Sequence, residues 1–225
     1  MMRFFSFLTC ATLATASLQS ACAARRDASG VRTILFLGDS LTDGYGLSRS
    51  QAYPALLTEK MRAAGFTNFN IINAGVSGDT TAGGLRRIGK YLDQRIDVLV
   101  LELGINDAFR GISIAQMRDN LQGIINRVKA KNPDAEVVIA GMQLPLYGTD
   151  NYVVAFGQMF IDLAEKNHAA LIPYLLQGVG GDPTFNLSDR IHPNAAGQRI
   201  LAENVWRVLE PLLRKATATT TARVN

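Results

Sequence analysis

Two residues far apart in the chain could together cleave an acyl bond: Ser40, in Gly38-Asp39-Ser40-Leu41, and His192, in Asp189-Arg190-Ile191-His192-Pro193. A serine hydroxyl is a weak nucleophile until a neighbouring base takes its proton. The chain offers two histidines. His168 follows Glu165-Lys166-Asn167 and reads as a surface residue at a helix end, where an imidazole suits the negative pole of the helix. His192 has Asp189 three residues earlier. One turn of chain can set that carboxylate against Nδ1, fixing the tautomer and leaving Nε2 to accept a proton. Taken alone, Ser40 reads as an N-cap or turn residue, and Asp189-x-x-His192 as a loop ion pair or cap.

Acyl transfer also needs donors aimed at the oxygen that becomes negative. The backbone N–H groups of Ser40 and Gly78 and the side-chain amide of Asn106 are the candidates. Gly78 lies in Ser77-Gly78-Asp79-Thr80-Thr81 and Asn106 in Gly104-Ile105-Asn106-Asp107. A turn glycine and a helix-start cap are the plain readings of these two. Asp39, Asp43, Asp79 and Asp107 read as turn and cap residues with no catalytic role, rather than as the paired carboxylates of glycoside cleavage. Residues 84–91 nearly spell a phosphate-binding loop, but Tyr91 stands where a Ser or Thr must be, and the stretch has helical spacing. The sequence holds neither a Gly-x-Ser-x-Gly elbow nor a His-Glu-x-x-His pair.

These groups must be positioned by the elements around them. Apolar runs at 33–37, 69–72, 97–101, 136–140 and 169–172 read as strands buried on both faces, as parallel strands are. Between them, residues 53–64, 80–91, 114–131 and 153–167 have helical spacing. A last helix carries Leu201, Val205, Val208, Leu209 and Leu212 on one face, with Pro193 expected at its opening. Five repeats of strand then helix predict an α/β fold, a doubly wound sheet of about five parallel strands with helices on both faces. Ligands of such sheets bind beyond the carboxyl ends of the strands. Ser40, Gly78 and Asn106 each follow such an end. An acyl cleft is expected around 146–156, with its depth set by the loops at 144–152 and 174–187.

The chain has 225 residues, 48% of them hydrophobic, and 23 basic against 19 acidic side chains for a net charge of +4. The charge is spread without a basic stripe, so the footprint of a nucleic-acid binder is missing. Residues 1–23 differ from the rest: a basic start, an apolar run from Phe4 to Leu18, and Ala21-Cys22-Ala23 as a small-x-small site. They read as a secretory signal peptide, which implies a periplasmic or secreted product, and the run is too short to span a membrane. The alternative is a lipoprotein anchored through Cys22, although Leu18 lies one position too early for that motif. The cysteines, Cys10 and Cys22, both fall in this segment. The mature protein therefore has no disulfide or thiol chemistry, and two histidines without cysteines argue against a zinc site. Residues 24–213 are expected to form one domain, and 214–225, rich in Thr and Ala, a frayed tail.

Gly38-Asp39-Ser40-Leu41, Gly78, Gly104-Ile105-Asn106-Asp107 and Asp189-x-x-His192, in that order, resemble the four motif blocks of the SGNH (GDSL-type) hydrolases. The likeness runs from Thr33 to Leu213. Gln143-Leu144-Pro145-Leu146-Tyr147-Gly148 and the surroundings of Gly78 and Asn106 resemble in particular the bacterial periplasmic acyl-CoA thioesterases, lysophospholipases and arylesterases. That resemblance implies a flavodoxin-like sheet, a Ser-Asp-His triad without metal or cofactor, and short to medium acyl esters and thioesters as small-molecule substrates. By position it makes Ser40 the nucleophile, His192 the base, Asp189 its orienting partner, and Ser40, Gly78 and Asn106 the oxyanion donors. A carbohydrate deacetylase of the same fold, a non-catalytic module binding an acyl or sugar ligand, and a nucleotide-binding flavodoxin-type protein stay open beside it.

Overall fold

The computed structural model describes residues 30–144 and 151–221, with side chains as far as 218. The expected leader, with Cys10 and Cys22, and residues 145–150, part of the expected acyl cleft, lie outside the described residues. From Arg32 onward the described residues form one compact unit.

Five parallel strands, β1 (Arg32–Gly38), β2 (Phe69–Gly75), β3 (Val98–Glu102), β4 (Glu136–Ala140) and β5 (Ala170–Ile172), line up in the order β2-β1-β3-β4-β5. The helices are α1 (Ser40–Asp43), α2 (Tyr53–Ala63), α3 (Thr81–Arg87), α4 (Ile105–Phe109), α5 (Ile114–Lys131), α6 (Asn151–Asn167) and α7 (Ala195–Thr221). Short 3₁₀ turns cover Arg49–Gln51 and Ile88–Tyr91. Right-handed crossovers dictate the layering. The step from β1 to β2 runs one way along the sheet and the later steps run the other, so α2 lies on one face and α3, α5 and α6 on the other. The packing agrees: α2 meets α7, while α5 meets both α3 and α6.

β1 and β3 are central, and every residue of β3 is buried. Burial of each such Val or Leu contributes about 1.5–3 kcal/mol. β2 departs from the expectation of strands buried on both faces. It is an edge strand, and Phe69 to Asn73 are only partly buried or exposed. The expected helix over 80–91 is split into α3 and a 3₁₀ turn, with Thr80 capping α3 by accepting the Gly83 N–H at 3.1 Å.

The start of α7 corrects another expectation. Asn194, not Pro193, opens this helix, its Oδ1 accepting the N–H groups of Ala196 at 2.9 Å and Gly197 at 3.1 Å. Pro193 instead pairs with Asn186 in an antiparallel bridge. At the other end α7 continues through Thr221, past the point where a frayed tail was expected to begin.

The register sets the floor of the site. Gly38 at the end of β1 lies opposite both Gly75 of β2 and Glu102 of β3. A Cβ on Gly38 would stand 2.0 Å from Thr42 Oγ1 and 2.6 Å from Glu102 Oε2, so the close approach of these strands and α1 requires glycine.

Candidate active site

Ser40 is the first residue of α1, directly beyond β1, and is 8% exposed. Its Oγ lies 3.0 Å from His192 Nε2, and His192 Nδ1 lies 2.7 Å from Asp189 Oδ2. With the Nδ1 proton donated to the carboxylate, Nε2 faces the hydroxyl as an acceptor. Asp189 is itself fixed, since its Oδ1 accepts the N–H groups of Ile191 at 2.9 Å and His192 at 3.0 Å. The bond to the His192 ring, with backbone N–H bonds from His192 and Ile191, holds the Asp189 carboxyl down at about 2. The loop presenting this pair is folded back on itself. His192 C=O accepts from Leu187 N at 2.7 Å, Phe185 C=O accepts from Asn194 N at 2.9 Å, and Arg190 takes a left-handed φ of 58°. The Tyr45 ring lies against the imidazole, centroids 4.3 Å apart and planes tilted by 37°.

Among the described residues, neither the Ser40 nor the Gly78 N–H meets a protein acceptor. Gly78 has a φ of +77°, and a Cβ there would meet nothing within 4 Å, so its backbone conformation, not a lack of space, calls for glycine. Asn106 is the second residue of α4, which starts where Gly104 turns at φ 128°. Its Nδ2 donates to Asp39 Oδ2 at 3.0 Å and to Asp79 O at 2.9 Å. The amide is therefore fixed between the residue before Ser40 and the residue after Gly78. A developing oxyanion would share the hydrogen directed at Asp39.

Beneath Ser40 is a buried polar layer, made of Asp39 from the first motif block with Glu102, Thr42 and Tyr53, to which the sequence assigned no role in the site. Asp39 is fully buried and accepts the Leu41 N–H on Oδ1 at 3.0 Å. Burial pushes its carboxyl up to about 6, opposed by the Leu41 bond. Glu102 is also fully buried, its Oε2 accepting from Asp39 N at 3.2 Å and Thr42 Oγ1 at 2.7 Å. Burial first, then the nearby Asp39 charge, drives the Glu102 carboxyl well above its usual range. Its Oε1 has no hydrogen-bond partner among the described residues. The hydroxyl of buried Tyr53 lies 2.8 Å from Thr42 Oγ1 and extends the chain inward.

Of the four aspartates read as caps, only Asp39 caps its own helix. Asp43 accepts from Ser77 Oγ at 2.8 Å. Asp79 pairs with Arg87 at 2.6 Å, and Asp107 accepts both N and Oγ1 of Thr81, at 2.8 and 2.6 Å. His168 is an exposed residue just past α6, as expected. Phe156, placed on the acyl cleft by the sequence, is instead wholly buried in α6 against Phe160. Among the described residues no three His, Cys, Asp or Glu side chains group as metal ligands would.

Such an arrangement can let an imidazole draw the proton from a serine hydroxyl beside N–H groups able to meet an anion. Known proteins similar to this chain fit that chemistry. The sequence profile of the GDSL-like Lipase/Acylhydrolase family matches residues 36–200. Esterase TesA of Pseudomonas aeruginosa is 38% identical over 186 residues, 82% of this chain and 91% of that protein. Thioesterase 1/protease 1/lysophospholipase L1 of Escherichia coli K12 is 36% identical over 187 residues, 83% and 87% of the two chains. A crystal structure of TesA superposes with a TM-score of 0.76 at 38% identity, over 80% of this chain and 99% of that one.

Proposed function

The chain belongs to the GDSL-like lipase/acylhydrolase family and is a serine esterase/thioesterase; from that premise we propose that Ser40, His192 and Asp189 are its catalytic triad and that Ser40 N, Gly78 N and Asn106 Nδ2 are its oxyanion donors. The observation that carries the reading is the line from Ser40 Oγ to His192 Nε2 at 3.0 Å and on from Nδ1 to Asp189 at 2.7 Å.

Ser40 Oγ attacks the acyl carbonyl carbon as His192 Nε2 takes the hydroxyl proton. The carbonyl oxygen becomes negative and is met by the donors at Ser40, Gly78 and Asn106. His192 then passes its proton to the departing alcohol or thiol, leaving an acyl ester on Ser40. Water repeats the sequence, giving its proton to Nε2 and its oxygen to the acyl carbon, and Ser40 is restored. Asp189 stays ionised throughout and holds the imidazolium formed in each half.

Small-molecule acyl esters and thioesters of short to medium chain length are the substrates in this reading, and no metal or cofactor takes part. Residues 1–23 act as an export leader, so the enzyme works in the periplasm or outside the cell. Their basic start, apolar run and small-x-small site support this. No described helix is long and apolar enough to cross a membrane.

The test is Ser40→Ala assayed on p-nitrophenyl butyrate and butyryl-CoA, with a fluorophosphonate probe on both forms. Loss of nearly all turnover and of labelling, with thermal unfolding unchanged, is the expected result. Labelling at another serine, or unchanged turnover, would overturn the assignment.

A further inference from the structure

Arg87 closes α3 in the very stretch that nearly spells a phosphate loop, and no step of the chemistry above uses it. It is nonetheless a cation deeply committed to the site. Its Nε donates to Asp79 Oδ2 at 2.6 Å, its Nη1 to Ala74 O at 2.6 Å and its Nη2 to Gly38 O at 2.8 Å. The side chain is 13% exposed and that of Asp79 is 12% exposed, so water does little to screen the pair. One planar fork thus ties together the end of β1, the end of β2 and the turn that follows β2. Only arginine has donors in that fixed arrangement.

The positions of these acceptors give the fork its meaning. Gly38 is two residues before Ser40. Asp79 follows Gly78 directly, and its own carbonyl takes one hydrogen of the Asn106 amide at 2.9 Å. Each of the three oxyanion donors is therefore within two residues of, or bonded to, a group that Arg87 holds. No side chain packs on the turn at Gly78, since nothing lies within 4 Å of where a Cβ would stand, so hydrogen bonds set its position. Its other ties include Val76 N to Gly38 O at 3.1 Å, Asp79 N to Val76 O at 3.0 Å, Thr80 N to Asp79 Oδ1 at 2.9 Å, Ser77 Oγ to Asp43 Oδ2 at 2.8 Å, and Arg110 Nη2 to Gly78 O at 3.1 Å, the last of these at the exposed surface.

We propose that Arg87 is a positioning residue that assembles the oxyanion site, holding the Gly78–Asp79 turn and through it the Asn106 amide against the end of β1. This rests on the donors assigned under the proposed function. Arg87 touches no substrate. It acts by keeping three donors, which come from three separate strand ends, aimed at one place before charge develops there, which is where preorganised electrostatics contributes to rate. Loosening the fork should cost transition-state stabilisation and leave ground-state binding nearly intact.

The experiment is a double-mutant cycle on p-nitrophenyl butyrate with Arg87→Ala, Asn106→Ala and the pair, rates being normalised to sites titrated by a fluorophosphonate. Arg87→Ala is expected to lower kcat by about 10- to 100-fold with KM within about threefold, and Asn106→Ala by about 10²- to 10³-fold. In the Asn106→Ala background the Arg87 substitution is expected to cost several-fold less than in the wild-type enzyme, because the share of its effect carried by the Asn106 amide is already lost and only the share carried by the Gly78 turn remains. Equal losses in both backgrounds, or a loss confined to KM, would overturn the positioning role while leaving the donors in place. Full kcat in Asn106→Ala itself would remove the donor assignment and the positioning role with it, a distinct outcome. If Arg87→Ala does not fold, Arg87→Lys serves in the same cycle. It keeps the charge but reaches only part of the acceptor set, and the same non-additivity is expected of it.

Discussion

The buried carboxylate of Asp39 accepts the Asn106 Nδ2–H at 3.0 Å, while the other hydrogen of that amide goes to the Asp79 carbonyl at 2.9 Å. Asn106 is thus oriented by two acceptors that flank the proposed oxyanion donors in sequence, one beside Ser40 and one beside Gly78. A side-chain amide held on both hydrogens cannot rotate to present its oxygen to a developing anion, which would repel it. Glu102 bonds the Asp39 backbone N–H at 3.2 Å and so anchors Asp39 in turn.

Asp39→Asn tests that orientation. The variant amide can still accept the Leu41 N–H, but it then turns an NH2 toward the NH2 of Asn106, and two donors facing each other force one to move. The expected outcome is a kcat lower by about tenfold or more with KM within about threefold, read by steady-state hydrolysis of p-nitrophenyl butyrate. Unchanged kcat would mean that the Asp79 carbonyl alone orients Asn106.

The same carboxyls make stability depend on pH. Asp39 ionises near 3.8 in the unfolded chain and near 6 in the fold, chiefly because of burial, and Glu102 is raised in the same direction. Between those values the folded protein holds protons that the unfolded chain has released, so stability falls as pH rises through about 4 to 6 and stays reduced above. For Asp39 the effect is up to about 3 kcal/mol at 1.36 kcal/mol per unit. Asp189 works the opposite way, contributing stability above about 3.8 that is lost as pH falls toward 2. Removing the ionisable group should therefore raise the Tm of Asp39→Asn relative to wild type more at pH 7 than at pH 4. A Tm difference that is the same at both pH values would contradict the buried-carboxyl account.

Tyr45 is 48% exposed, yet its ring faces His192 at 4.3 Å. Such ring pairs are worth about 0.5–1.5 kcal/mol beyond the area they bury. Tyr45→Ala should lower kcat/KM by about 2- to 10-fold, whereas Tyr45→Phe, which keeps the ring, should stay near wild type. Equal losses in both variants would assign the effect to the hydroxyl and not to the stacked face.

Why some of these groups could be read from the sequence and others not has a physical basis. Ser40, Gly78 and Asn106 stand out because Gly, Ser and Asn interrupt apolar runs where parallel strands end. His192 stands out because it has Asp189 one turn away, where the alternative, His168, has no such carboxylate. Glu102 is hidden because an acid closing an apolar strand looks like the strand's solvent end, and only the pairing of β1 with β3 puts it under Asp39. Arg87 looks like an ordinary cation in the last turn of a helix, and its three acceptors come from segments that meet only in the fold. The half-exposed face of β2 follows from strand order, which no local pattern encodes. Pro193 fits a helix opening by type, but the pairing of residues 185–187 with 192–194 claims it first, and Asn194 takes the cap.

Two glycines at the site should fail in different ways when given a methyl group. Gly38→Ala would place a Cβ 2.0 Å from Thr42 Oγ1 and 2.6 Å from Glu102 Oε2, atoms of a buried layer that has no room to retreat. Overpacking of this kind costs about 1–3 kcal/mol or more. At about 2–4 °C per kcal/mol for a domain of this size, a Tm lower by about 2–12 °C is expected. Gly78→Ala meets nothing within 4 Å, and its cost is the left-handed φ of +77°, about 1–2 kcal/mol for a residue with a Cβ. Relief of that strain would rotate the 77–78 peptide and swing the Gly78 N–H away from the oxyanion. Gly78→Ala should therefore lose only a few degrees of Tm but at least about tenfold in kcat, because a misdirected donor is a lost donor. Thermal unfolding and kcat measured side by side separate the two. A Gly78→Ala enzyme that keeps full kcat at a reduced Tm would show that its N–H plays no part in stabilising the anion.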